Sequence, residues 1–322
     1  MMSNVKSDKD FSLKLNVVIF SILIGIGLYL LVSLYTGWQD IVSVFIKVGW
    51  LGLLIALALS MVNYVLRFVR WQMYLGHLGY CINTLISWEI YLSGFALTTT
   101  PGKAGEAIRS MYLKKHAVPV SSSLAALVSE RLSDLIAIVV LSCFGLWQYP
   151  NAKLPVLLTV FFILGFLLVM IYRPILIKID DFIENKDNKF YRIVRKIINI
   201  MQQMQSCYSP MTLMITTVIS VIAWGAEAFA LYLLLIWLGF DVSLGFSVFV
   251  YAISMLAGAL SFLPGGLGGA EAAMVSLFML KGIDLKTSVA VTIFIRCTTL
   301  WFAVILGIGA LMNLQIKSRQ EQ

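Results

Sequence analysis

Apolar residues in this chain run in long unbroken blocks rather than in the alternating or one-faced patterns of soluble strands and helices. Blocks at 15–35, 49–66, 120–147, 154–172, 211–238 and 287–314 each meet or approach the roughly 17–25 residues needed to cross a bilayer. Two further apolar stretches, 85–100 and 245–263, stop at Pro101-Gly102-Lys103-Ala104-Gly105-Glu106 and at Pro264-Gly265-Gly266-Leu267-Gly268-Gly269. Proline and glycine break helices, and broken backbone at membrane depth is tolerated only where protein or a watery cavity completes its hydrogen bonds. Re-entrant hairpins satisfy that rule; two ordinary short helices around each break are the competing arrangement. The expected fold is an all-α polytopic membrane protein of about six spanning helices plus two re-entrant, broken-helix hairpins.

The two breaks resemble each other. Pro101-Gly102 and the following Gly105-Glu106-Ala107 have a counterpart in Gly265 to Ala272, and the spacing continues downstream. Glu106 lies 25 residues before Arg131 and Glu271 lies 25 residues before Arg296, while Ser123 and Ala125 match Ser288 and Ala290 at the same offset of 165. One membrane domain over 1–322 is expected, built from repeats at 15–147 and 154–314 with a polar connector at 173–209. With two hairpins returning to their starting side, the first enters from the cytoplasm and the second from outside, so the repeats are expected to be inverted.

Composition agrees with the pattern: 60% of residues are hydrophobic and 12% charged, with a mean hydropathy of +0.91. Basic residues near helix ends set the orientation. Lys6, Lys9, Lys14, Arg67, Arg70, Arg109, Lys114, Lys115, the basic residues of the connector, Lys317 and Arg319 fall on one side, and only Lys47, Lys153, Lys281 and Lys286 on the other. Both termini are therefore expected in the cytoplasm of an inner membrane. The net charge of +8 is accounted for by anionic lipid headgroups, without nucleic acid. The apolar block after Lys14 is too long for a signal peptide, whose core runs about 7–15 residues. In the connector, Phe190 to Ile198 places apolar and basic residues at helical spacing; it is expected either to lie on the inner membrane surface or to be a solvated linker.

Little in the chain points to metal or cofactor chemistry. Cys81, Cys143, Cys207 and Cys297 are far apart, and His77 and His116 stand alone. No metal or cofactor is expected, and no phosphate-binding loop of the ATPase type is present. The informative residues are ionisable ones inside apolar blocks. Arg131 falls roughly 16 Å into its block at about 1.5 Å per residue, near the bilayer centre, and Arg296 lies at similar depth. A central arginine costs about 2.5–3.5 kcal/mol on the insertion scale, so it seeks an anion. Asp134 lies on the same helix face as Arg131, with Glu130 adjacent. Arg296 has no acid within a turn, which leaves Glu271, Glu106, Glu227 or a substrate anion. Glu227 is itself membrane-embedded, as a proton site or a counter-charge. The glycines Gly102, Gly105, Gly265, Gly266, Gly268 and Gly269 either expose backbone N–H groups to an anionic headgroup or let helices approach closely.

At these motifs the chain resembles the flippase-like membrane family that includes the transmembrane region of lysylphosphatidylglycerol synthases. The matching text is Thr99 to Arg109, Ser129-Glu130-Arg131-Leu132-Ser133-Asp134, and Leu263 to Glu271. The resemblance implies handling of membrane lipids, such as aminoacylated phospholipids or polyprenyl-linked glycolipids. It departs from the bifunctional synthases after the last helix, where the soluble transferase-like domain is expected to be lacking. Three functions are open: a flippase in which Arg131 and Arg296 contact a headgroup phosphate, a membrane transferase using Glu106 or Glu271 as base, and an accessory subunit partnering a lipid-modifying enzyme.

Overall fold

The computed structural model describes residues 27, 37–98, 105–147, 149, 153–171, 188–261 and 263–320. The expected first span at 15–35, the break from Pro101 to Ala104 and the first part of the connector, 173–187, lie outside them, Gly27 excepted. Every regular element among the described residues is helical. In chain order these are α1 (Trp38–His77), α2 (Thr84–Ser93), a 3-10 turn (Gly94–Leu97), α3 (Gly105–Lys115), α4 (Val120–Ser142) and α5 (Lys153–Ile171). There follow α6 (Lys189–Gln205), α7 (Pro210–Trp237), α8 (Leu244–Leu260), a second 3-10 turn (Pro264–Gly266), α9 (Gly269–Leu280) and α10 (Leu285–Arg296). A π-turn (Cys297–Trp301) joins α10 to α11 (Phe302–Gln320) without a break in direction.

Three stretches are long and apolar enough to cross a membrane: α1, α7 and the α10–α11 run over Leu285–Lys317. Lys153–Val169, Leu244–Leu260 and Gly269–Leu280 are apolar but shorter. The chain is thus an all-helical membrane protein. Two boundaries differ from the sequence pattern. The block at 49–66 is part of a 40-residue helix bent at Gly49, whose φ of 67° is left-handed, and the helix continues through Arg67 and Arg70 to His77. It continues because both arginines find partners inside the protein, as described below. The block at 120–147 is helical only to Ser142 and then turns, and the Phe249 ring packs against the bare Cα of Gly145.

Among the described residues, segments 38–142 and 210–296 repeat one succession: long helix, shorter helix, 3-10 turn, short helix, helix. The long helices α1 and α7 form a central antiparallel pair. Gly52 faces Trp237, Asn63 donates to the Ala223 carbonyl at 2.9 Å, Arg70 donates to Ser220, and the His77 ring meets the Thr212 hydroxyl at 3.0 Å. Three of these contacts exchange at an offset of 160: Gly52 corresponds to Thr212, His77 to Trp237, and Asn63 to Ala223 itself. Beyond the breaks the offset becomes 165, and reciprocity persists. Tyr64 donates to the Thr299 carbonyl, while its counterpart Trp224 donates to Asp134, the counterpart of Thr299. Paired exchange of this kind is what a two-fold relation between the two segments would produce. An axis relating two antiparallel helices lies perpendicular to both.

Both long helices end in the same left-handed glycine cap. Gly79 and Gly239 have φ of 86° and 89°, and Tyr80 and Phe240 donate back to Leu75 and Leu235. The next helix of each set starts on a side-chain cap, Asn83 for α2 and Ser243 for α8. Asp284 caps α10 in the same way, and its carboxyl is held below the usual carboxylate range by hydrogen bonds from Thr287.

The amphipathic α6 packs Ile198 and Met204 against α4 and α5 through Ala125, Phe166 and Val169. Phe190, Ile193 and Ile197 stay exposed beside Arg192 and Lys196. At the other end of the chain, α11 touches the first 3-10 turn so closely that a Cβ on Gly307 would overlap the Ala96 nitrogen and the Phe95 carbonyl carbon. Since backbone cannot yield there, Gly307→Val is expected to cost about 1–3 kcal/mol of packing. A lowered thermal midpoint of the detergent-solubilised protein checks this, with Gly309→Val, which has open space around it, as the neutral control.

Candidate functional site

The first centre is assembled where α1, α3, α4 and α7 meet. Serines, threonines and charged residues recur every three or four positions inside these apolar helices, so each helix turns one polar stripe inward. On α1 the stripe is Ser60, Asn63, Arg67, Arg70 and Tyr74; on α4 it is Ser129, Glu130, Ser133 and Asp134; on α7 it is Thr216, Ser220 and Glu227, all buried. Asp134 is the focus. Arg70 donates to its Oδ1 at 2.8 Å, Arg67 and Arg131 approach Oδ2 at 3.3 Å, and the Trp224 indole donates to Oδ1 at 3.0 Å.

Glu130, one residue before Arg131, points to different partners. Arg109 from α3 donates to its Oε2 at 3.0 Å, and Arg70 reaches to 3.8 Å of Oε1. The Arg109 guanidinium also donates to the Tyr91 carbonyl at 3.1 Å and lies over the Tyr91 ring at 4.2 Å. It passes through space left by Gly94, where any Cβ would strike the Arg109 side chain. Arg67 lies over the Trp224 ring at 5.2 Å. The expectation that Arg67, Arg70 and Arg109 sit at the cytoplasmic headgroups is therefore corrected: all three are buried, and Arg70 is 0% exposed. They cannot count toward orientation, because their charge is neutralised by carboxylates rather than by lipid. Arg131 differs, with a side chain 32% exposed.

The second centre lies at the break between α8 and α9. Arg296 is buried; its Nε donates to Glu271 Oε1 at 2.6 Å and its Nη2 donates to the Gly265 carbonyl at 3.0 Å. Glu271 Oε2 accepts the Gly268 N–H at 2.6 Å, so this carboxylate caps the start of α9 while it pairs Arg296. Of the partners expected for Arg296, the structure selects Glu271. The glycines serve geometry and approach. Gly268 has a φ of 87° that a larger side chain resists, and Gly266 meets the backbone of Gly258 across the hairpin. Gly269 packs against Ser261 and the Ala257 carbonyl.

In the first break, Gly102 and the Glu106 side chain lie outside the described residues, and Gly105 begins α3. Glu227 stands apart from both centres, accepting a 2.6 Å hydrogen bond from Tyr251 on α8. Among the described residues no three His, Cys, Asp or Glu side chains converge to hold a metal. What the arrangement offers is guanidinium groups and backbone N–H donors held in a low-dielectric interior, the groups that recognise phosphate in place of carboxylate. Removing Asp134 leaves buried arginines uncompensated, so Asp134→Ala is expected to destabilise by about 3–5 kcal/mol. Arg131→Ala, at the more exposed edge, is expected to cost much less. Thermal unfolding of both variants in one detergent makes the comparison.

The chain matches a family model described as "Lysylphosphatidylglycerol synthase TM region" over residues 18–307. It is similar to a UPF0104 membrane protein of Methanothermobacter thermautotrophicus, 24% identical over 306 residues that cover 88% of this chain and 90% of the relative. A UPF0104 membrane protein of Pyrococcus horikoshii is 23% identical over 314 residues, covering 89% and 94%. Another from Methanocaldococcus jannaschii is 25% identical over 304 residues, covering 88% and 90%. The family match takes in α1 to α10, both arginine centres and the glycine break between α8 and α9, and the chain belongs to the lysylphosphatidylglycerol synthase TM region family.

Proposed function

We propose that this protein is a lipid flippase or flippase-like transporter for an anionic phospholipid or a polyprenyl-phosphate-linked lipid, working in the cytoplasmic membrane with both termini inside. The observation that carries the reading is the reciprocal set of contacts across antiparallel α1 and α7, with an arginine centre in each set of helices. If α1 and α7 cross the bilayer, the two-fold axis lies in its plane and the repeats at 15–147 and 154–314 are inverted. Inverted repeats let one fold expose the same site to either side by exchanging the conformations of its halves.

The Arg296, Glu271 and Gly268 arrangement supplies the gate. A headgroup phosphate entering at the break replaces the Glu271 carboxylate on Arg296 and takes up the Gly268 N–H, which releases the start of α9. The expense of separating the internal pair is offset by the new charge-assisted bonds, each worth about 1.5–3 kcal/mol. Arg131, the most exposed arginine of the first centre, is the equivalent contact in the other half. The hairpins α2–α3 and α8–α9 then act as thin re-entrant gates on opposite faces. The transferase reading gains no comparable support, since both Glu271 oxygens are engaged in holding the loop.

Reconstitution into liposomes with a fluorescent phosphatidylglycerol tests the proposal. Arg296→Ala is expected to slow the appearance of label in the opposite leaflet by about tenfold or more, the loss of one charge-assisted contact. Undiminished movement by a variant with the wild-type thermal midpoint overturns the role of Arg296, and absence of movement by the wild-type chain overturns transport by this protein alone.

A further inference from the structure

One buried acid remains outside both arginine centres. Glu227 is buried in the middle of α7 and, among the described residues, receives one hydrogen bond, from Tyr251 Oη to its Oε2. Among the described residues no ion pair includes it, in contrast to Glu130, Asp134 and Glu271. The groups that face it come from every neighbouring element: Tyr64 and Arg67 on α1, Asp134 on α4, Tyr251 on α8 and Arg296 on α10. Arg67 and Arg296 both act on its charge from beyond ion-pair distance, one belonging to each centre. By the offset of 160, Glu227 occupies the position equivalent to Arg67. The two-fold relation thus places an acid and a base at matched sites on the central helix pair.

Contacts lead from Glu227 to both centres. Trp224, one turn earlier on α7, lies against Tyr251 at 6.4 Å, stacks under Arg67 and donates to Asp134. On the other side, Arg296 leads directly into the π-turn, whose Thr299 carbonyl accepts from Tyr64. A charge inside an apolar bundle is costly unless paired, and membrane-embedded acids commonly serve as proton carriers.

We propose that Glu227 is a proton-binding site whose occupancy is coupled to capture of a phosphate-bearing anion at Arg296. This deepens the transport reading and rests on it for its biological sense. A proton from water adds to the Glu227 carboxylate and gives the neutral acid; no other bond changes. That removes one negative charge from the surroundings of Arg296, so an external anion meets less competition there. Reciprocity requires the bound anion to favour protonation of Glu227 to the same degree. Proton and anion therefore bind together, and an outward-acid gradient drives the anion inward.

Binding decides the matter without transport. The purified full chain in neutral detergent is titrated with phosphatidylglycerol, phosphatidylcholine or inorganic phosphate at acid and alkaline pH, with the shift in thermal midpoint as readout. Wild type is expected to bind phosphatidylglycerol about tenfold more weakly at alkaline pH, a typical coupling between sites. Glu227→Gln, which keeps an acceptor for Tyr251, is expected to retain tight binding at both. Coupling seen with phosphatidylglycerol alone supports a headgroup as the anion, and equal coupling with inorganic phosphate supports a free anion. Wild-type binding that ignores pH, or pH dependence unchanged in Glu227→Gln, overturns the proposal. Should that variant not fold, infrared spectra of wild type and Tyr251→Phe replace it. A protonated-carboxyl band that appears on acidification and moves in Tyr251→Phe supports the site, and an unmoved or absent band overturns it. Coupled binding without movement of lipid in liposomes overturns transport and leaves the proton site standing.

Discussion

A guanidinium group cannot be left uncompensated among apolar helices, and most of the described architecture follows from how this chain meets that condition. Asp134 and Glu130 draw Arg67, Arg70, Arg109 and Arg131 from three helices onto one turn of α4. Because burying either charge alone costs several kcal/mol, the helices that carry them are obliged to converge. This convergence, rather than apolar contact, selects the neighbours of α4, since helices gain no hydrophobic advantage from one another when lipid is the alternative.

The second centre solves the same problem with fewer groups and a different result. Among the described residues Arg296 donates to the Glu271 carboxylate, the Gly265 carbonyl and the Met255 sulfur, and that carboxylate is also the cap of α9. Its ion pair therefore carries loop geometry with it: exchange the anion and the start of the helix is released. In the first centre, charges lock helices to one another. In the second, a charge locks a helix to a glycine break. The π-turn immediately after Arg296 belongs to this difference, because an inserted residue in a helix leaves carbonyls such as that of Thr299 available to side chains of other helices.

Several of these features are legible along the chain. Apolar block lengths anticipate α5 and α7 to within a residue or two, and the Pro264–Gly269 interruption coincides with a break between α8 and α9. The i,i+3 spacing of Arg131 and Asp134 foretells their contact, and the 25-residue spacing of Glu271 and Arg296 recurs as an ion pair. Arg67 and Arg70 were hidden because an arginine after an apolar block looks the same whether it ends a span or enters a core. A finer signal distinguishes the two. Ser60, Asn63, Arg67, Arg70 and Tyr74 keep to one helical stripe, and a surface anchor has no need of such a stripe on the turns before it.

The order of residues by itself determined the class of environment and the helical elements, because the cost of placing polar groups in lipid acts on each segment independently of its neighbours. It also determined which charges demand a partner. Only the tertiary structure decided which partner each one takes: that Asp134 gathers arginines from α1 as well as α4, that Arg296 takes Glu271, and that Glu227 is left with a tyrosine. The same holds for the reciprocal seam between α1 and α7. Pairing of charges and crossing of helices depend on distances across the bundle, which hydrophobic spacing along one helix does not encode.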